Sequence, residues 1–258
     1  MAREAVAVGV DGSLGVLAAV SWAAAEAARR GARLHLVEVR PTAEGTTESH
    51  RSAPLRRARA VAAAVAPGNA ISVESRAGAA GPVLRARARD ADLLVIGSRR
   101  HADPSTAPDG TTPFLLAGTA CPTVVVPARW AGSWASTPSA RPVVVGLAGT
   151  PDDHGAQEVA AQVVRRRGVE LISVGPRRRC APDREDGGTD LTEALLDVGR
   201  WAQLIVVRPS PAVQLEWLLR RSPCAVMLPP SLVPPRPSGT RLEMTTAPSR
   251  AWCAGRRV

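Results

Sequence analysis

The chain opens with a segment that it repeats 137 residues later in the same register. Val6-Ala7-Val8-Gly9-Val10-Asp11-Gly12-Ser13 matches Val143-Val144-Val145-Gly146-Leu147-Ala148-Gly149-Thr150, with Gly9 and Gly146 aligned. The same offset aligns Arg29-Arg30-Gly31-Ala32-Arg33-Leu34 with Arg166-Arg167-Gly168-Val169-Glu170-Leu171. A register held across a Val-rich run, an Ala-rich run and a second apolar run predicts a duplicated strand–helix–strand unit. The copies are unequal in chemistry. Asp11 has become Ala148, so whatever the first carboxylate does is expected once per chain.

Punctuation along the chain predicts strands alternating with helices, and hence a doubly wound α/β fold with a mostly parallel sheet. Residues 4–10 lack alternation, as a strand buried on both faces should. A helix is expected over Val16–Arg30 with Gly31 as its stop, then a strand over Leu34–Val39. A helix near Ala53–Ala66, a strand at Ile71–Ser75 and a helix through Val83–Arg89 follow. Asp92–Gly97 reads as a buried strand, Pro113–Gly118 as a short helix, and Thr123–Val126 as a fifth strand. In the second copy, Gln203-Leu204-Ile205-Val206-Val207 matches Asp92-Leu93-Leu94-Val95-Ile96 at an offset of only 111 residues. The missing 26 residues (137 less 111) correspond to one helix and one strand. The expected organisation is two domains in tandem, 1–127 and a shortened 141–230, joined by a linker at 128–140. A disordered Pro- and Arg-rich tail is expected over 231–258.

Composition narrows the chemistry. The 258 residues carry 33 basic side chains, all arginine, with a net charge of +10, six Trp, one Phe and no Tyr. Without lysine there is no Walker-type phosphate lysine and no Schiff base. With few rings to stack bases and arginines spread along the sequence, specific nucleic-acid binding is not expected. Arg85, Arg87 and Arg89, and likewise Arg165, Arg166 and Arg167, read as solvated helix faces. No apolar run approaches the roughly 20 residues that span a bilayer, and no signal peptide is visible after Met1, so a cytoplasmic protein with reduced thiols is expected. Cys121, Cys180, Cys224 and Cys253 show no metal-ligand spacing. Cys121 and Cys224 read as small core hydrophobes, and Cys180, beside Arg177-Arg178-Arg179, as the better thiolate candidate. The four histidines are scattered, and neither a Ser-His-Asp nor a metal constellation emerges, so no catalytic and no metal-binding residue is assigned.

Ligands of a doubly wound sheet bind outside the carboxyl ends of its strands, where strand order reverses. Asp11 and Gly97 are expected at two such ends. A carboxylate there can accept hydrogen bonds from ribose hydroxyls, and a glycine-bearing loop can offer backbone N–H groups to phosphate. The alternative is that Asp11-Gly12-Ser13 is only a turn and helix cap.

Three segments together resemble the universal stress protein family: Val8-Gly9-Val10-Asp11-Gly12-Ser13, Ala91-Asp92-Leu93-Leu94-Val95-Ile96-Gly97-Ser98-Arg99 and Ala120-Cys121-Pro122-Thr123-Val124-Val125-Val126. The resemblance implies a tandem pair of adenine nucleotide alpha-hydrolase-like domains, the second degenerate, packed as an internal pseudo-dimer whose last strands pair antiparallel. It implies an ATP site, with or without Mg, in the first domain. Asp11 would hold the ribose, Val39 would meet adenine through its backbone, and Gly97, Gly110 and Thr111 would line the phosphates as parts of the family's G-x2-G-x9-G-[S/T] pattern. Arg100 stands where that pattern has its second glycine. Its guanidinium can grip a phosphate, or its side chain can obstruct the loop. In the second copy Ala148 replaces the aspartate and Arg208 replaces Gly97, so no binding is expected there. The implied function is nucleotide-linked stress signalling, with at most slow ATP hydrolysis and an unidentified protein partner. The alternative is a nucleotide-free protein-interaction module, and a redox response through Cys180 is a third reading.

Overall fold

The computed structural model describes residues 5–13, 15–40, 52–98, 111–128, 140–175 and 191–230. Arg100, Gly110, Cys180, Cys253, nearly all of the expected linker, the loop at 176–189 and the tail lie outside them.

Among the described residues, the first half contributes β1 (Ala5–Val10), α1 (Val16–Arg30), β2 (Arg33–Arg40), α2 (Ala53–Val65), β3 (Ile71–Ala77), α3 (Ala80–Arg87), β4 (Leu93–Ser98), α4 (Thr111–Leu116) and β5 (Thr123–Pro127). The second contributes β6 (Val143–Gly146), α5 (Asp153–Arg167), β7 (Leu171–Val174), α6 (Leu191–Gly199), β8 (Leu204–Val207), α7 (Leu215–Arg221) and β9 (Ala225–Leu228). The strands form one sheet in the order β3-β2-β1-β4-β5-β9-β8-β6-β7. Pairing is parallel within each half, and β5 meets β9 antiparallel through Thr123↔Leu228, Val124↔Met227 and Val125↔Val226.

The central strands carry Val and Leu on both faces because both faces are covered. One face packs against α1, α2 and α5 through Trp22, Leu55 and Ala156, and the other against α3, α4, α6 and α7 through Leu84, Leu115, Leu195 and Leu218. The matched glycines share backbone geometry. Gly12 and Gly149 have φ of 78° and 81°, and Gly31 and Gly168 both have φ of 62°, left-handed values that glycine reaches without a Cβ penalty. Thr119 and Ser222 repeat a further device, each hydroxyl donating over 2.7 Å to the carbonyl of the cysteine two residues on. Those cysteines, Cys121 and Cys224, are buried, and burial pushes both thiols up to about 12, as suits packing residues rather than nucleophiles. The central helix of each unit ends at its glycine as the sequence predicts. The one boundary that moves by a turn is α3, which starts at Ala80 rather than Val83.

Arg85, Arg87 and Arg167 depart from the solvated faces expected of them, whereas Arg89, Arg165 and Arg166 are exposed as expected. Arg167 is buried and donates to Glu26 Oε2 at 2.7 Å and to Gln203 Oε1 at 2.6 Å. Arg30, its counterpart 137 residues earlier, pairs with the other oxygen of the same Glu26 at 2.8 Å, and Arg29 adds a contact at 3.1 Å. Burial pushes the Glu26 carboxyl up, but Arg167, Arg30 and Arg29 outweigh it and hold the carboxyl below its ordinary range. Arg85 donates to the Phe114 carbonyl and lies 3.8 Å from the centre of that ring. Arg87 binds Glu74 at 2.6 Å. Glu74 also accepts from Arg76 and lies 2.8 Å from His35 Nε2, while His35 Nδ1 lies 2.8 Å from Ser72 Oγ. The scattered histidine of the sequence thus stands between a serine and a carboxylate. This polar line sits beside edge strand β3 and lines no part of the cavity described below.

Two outcomes follow for stability. Glu26→Ala leaves Arg30 and Arg167 buried without their carboxylate and should cost about 3–5 kcal/mol, more than Arg167→Ala, which leaves Glu26 two arginines; urea denaturation midpoints measure both. Burial raises the Glu74 carboxyl, yet hydrogen bonds from Arg76, His35 and Arg87 bring it from 4.5 down to about 2. A carboxylate depressed in the folded state stabilises above its unfolded pKa, and that contribution fades as pH falls from 4.5 towards 2. Glu74→Gln should flatten the acid limb of the stability profile over that interval.

Candidate functional site

Strand order reverses between β1 and β4, because β1 connects onward to β2 on one side while β4 lies on its other side. At the carboxyl ends of these strands lies a cavity of about 470 Å³. Its floor is Gly9 and Val10 of β1, Ile96 and Gly97 of β4 and Val125 of β5. Val37 and Val39 of β2, with Ala80 and Leu84 of α3, form the β2 end. Thr111, Thr112, Pro113 and Leu116 of α4 form a wall. Glu216, Leu219 and Arg220 of α7 close the far end, beyond β5.

Of the site residues singled out in the sequence, Asp11, Val39, Gly97 and Thr111 all line this one cavity. Arg100 and Gly110 fall outside the described residues. The three residues of α7 carry no such signal in the sequence, because only the antiparallel β5–β9 pairing brings residue 216 near residue 11.

Local geometry explains the glycines. A Cβ on Gly9 would stand 3.0 Å from Leu84 Cδ1, at the cavity floor. A Cβ on Gly97 would sit 3.4 Å from the Val16 Cα and 3.5 Å from the Gly15 carbonyl, so its bare backbone lets the start of α1 approach the end of β4. Asp11 Oδ1 accepts from the Ser13 amide at 3.0 Å and from its hydroxyl at 2.7 Å. In the sequence Ser13 reads as a helix cap. Its hydroxyl instead braces Asp11, and Gly15 stands at the N-cap of α1, which has no side-chain cap. The brace fixes an exposed carboxylate at the cavity edge, in reach of a ligand's hydroxyl groups.

The matching loop of the second half is arranged otherwise. The amides of Ala148, Gly149 and Thr150 all donate to the Asp153 carboxylate, at 3.0, 2.7 and 2.9 Å. Three successive amides of this kind form an anion cradle, and here a side chain of the same loop fills it. Arg208, in the place of Gly97, approaches α5 closely enough that a Cβ on Gly155 would stand 3.2 Å from its Nη1. Asp153→Ala should lower stability by about 1.5–3 kcal/mol, the worth of charge-assisted hydrogen bonds to a mostly buried carboxylate, as read by chemical denaturation.

Among the described residues, no group of three or more His, Cys, Asp or Glu side chains could hold a metal ion, and no helix is long and apolar enough to cross a membrane.

Known proteins resemble both the sequence and the fold. The model of the universal stress protein family matches residues 3–127. Universal stress proteins from two strains of Mycobacterium tuberculosis, CDC 1551 / Oshkosh and H37Rv, are each 28% identical over 193 residues, 71% of this chain and 69% of theirs. A universal stress protein from Archaeoglobus fulgidus superposes with a TM-score of 0.59 at 15% identity, over 88% of this chain and 96% of its own. A structure described as a putative universal stress protein from Pseudomonas aeruginosa does so with a TM-score of 0.60 at 13% identity, over 88% and 93%. At such identities the structural likeness establishes the fold. Residues 3–127 match the universal stress protein family, and the curated relatives extend the sequence similarity over 193 residues.

Proposed function

We propose that the chain is a nucleotide-linked stress-response protein that binds one adenine nucleotide, ATP, in the cavity of its first half. The observation that carries this reading is the convergence of Asp11, Val39, Gly97 and Thr111 on one cavity at the strand-order reversal. In this reading Asp11 accepts hydrogen bonds from the ribose hydroxyls. The Val39 backbone meets adenine beside Leu84, and Gly97 and Thr111 face the phosphates. The charged side chains among the described lining residues are Asp11, Glu216 and Arg220. Asp11 is engaged with Ser13, so a signalling protein that holds ATP fits the site better than a fast hydrolase does.

The two units, 1–127 and 141–230, are read as tandem copies packed as an internal pseudo-dimer through β5 and β9. The matched glycines and the matched hydroxyl–cysteine contacts support that reading. The second unit is read as a copy without a site of its own, its cradle filled by Asp153.

Calorimetric titration of the full chain with Mg-ATP should give one site per chain. Asp11→Ala should weaken it by about 10-fold or more, the loss of a charge-assisted hydrogen bond. Two equivalent sites would overturn the assignment of the second unit. Absence of binding would favour a nucleotide-free interaction module.

A further inference from the structure

We infer that Arg220, on a helix of the second half, is a phosphate ligand for the nucleotide held by the first. The inference rests on the nucleotide reading above. Glu216, Leu219 and Arg220 are spaced i, i+3 and i+4, which sets them on one face of α7. Leu219 is buried at 6% exposure and Leu218 at 0%, so packing fixes which way that face points. Trp217 and Arg221 form a separate pair, the guanidinium 5.0 Å from the ring centre. Glu216 and Arg220 therefore stand at the cavity rim on an anchored helix.

Their position along the cavity decides what they meet. The sheet order sets β2, β1, β4 and β5 side by side, with α7 packed against β5 at the far end. A nucleotide whose base lies at Val39 on β2 and whose ribose lies at Asp11 on β1 directs its phosphates across β4 towards α7. Charge makes the same demand. The described lining residues include two carboxylates, Asp11 and Glu216, and Arg220 is the cation among them. A polyphosphate entering this set needs a positive group at its phosphate end, and a guanidinium can grip phosphate oxygens in bidentate fashion.

Arg220 is free to change partners at little cost. Its Nη2 stands 3.8 Å from Glu216 Oε2, beyond hydrogen-bond distance, and the two side chains are 49% and 66% exposed. Ion pairs of that kind hold weakly. An incoming phosphate offers a stronger partner, while Glu216 opposes the same phosphate by like charge. The second half thus contributes to binding although its own cradle is filled, because its last helix completes the first half's site.

The test is isothermal titration of the full chain and its variants with Mg-ATP, ADP, AMP and adenosine, with folding checked by circular dichroism. Arg220→Ala should weaken Mg-ATP by about 10-fold or more, with the penalty shrinking as phosphates are removed and smallest for adenosine. Glu216→Gln should tighten Mg-ATP. Arg200→Ala, which removes a surface arginine paired with Asp197 away from the cavity, should leave the ATP-to-adenosine ratio unchanged and so exclude a general charge effect. If the unaltered chain binds Mg-ATP and Arg220→Ala binds it within about two-fold, the assignment fails. It fails equally if Arg220→Ala weakens all four ligands alike. Failure of the unaltered chain to bind any of the four overturns the nucleotide reading itself, and the role of Arg220 with it.

Discussion

Three residue pairs between β5 and β9 join two parallel half-sheets into one sheet. Apart, each half would present an apolar strand at its edge, Val124-Val125-Val126 on one and Val226-Met227-Leu228 on the other, all at most 4% exposed in the joined structure. Such an edge is a template for wrong partners, and antiparallel pairing with a strand of like composition removes it. The same pairing fixes everything that crosses the seam. On one face it brings α5 against α1, and on the other it carries α7 over the end of β5 and so to the mouth of the cavity.

The cluster at Glu26 makes the seam asymmetric. Arg30 and Arg167 are the last residues of α1 and α5, 137 residues apart, yet they converge on a single carboxylate, because the residue 137 positions after Glu26 is Val163. Two guanidiniums with one carboxylate leave net positive charge in a buried place, which Arg167 eases by binding Gln203 and by lying 5.5 Å from the Trp22 ring. A buried ion pair of this kind adds less stability than its contacts imply, since both partners lose water. Its stronger effect is on register: a shift of α5 along α1 would strand Arg167 among apolar side chains.

Local patterns in the sequence were informative wherever the physics is local. Val-rich runs without alternation became strands buried on both faces, and Gly31 and Gly168 ended helices because only the left-handed conformation closes the chain there. Asp11 and Gly97 could be placed beside one cavity because a doubly wound sheet gathers its carboxyl strand ends, whereas Val39 and Thr111 were legible only through the family resemblance. The failures share a cause. Arg167 and Arg85 look solvated on a helical projection, and only the packing of another element buries the first and partly covers the second. Nor does any local signal connect α7 with a cavity whose other lining residues end at Val125, 91 residues before Glu216. The role of Asp153 was hidden in another way. Read in a line, it is one more acid at a helix start, and its three amide partners become visible only once the loop is folded.

The filled cradle at Ala148-Gly149-Thr150 bears on what the second half can bind. A tethered carboxylate competes with any dissolved anion at an effective concentration of roughly millimolar or higher, so the amides are silent although all three remain. An aspartate placed at position 148 would not by itself free them. Asp153 would have to go first, and that change loses hydrogen bonds before any ligand contact is made. Any route to an anion site in this loop therefore begins with a less stable protein. One aspartate at the entry to α5 acts as a built-in plug, holding shut a loop whose backbone could otherwise receive an anion.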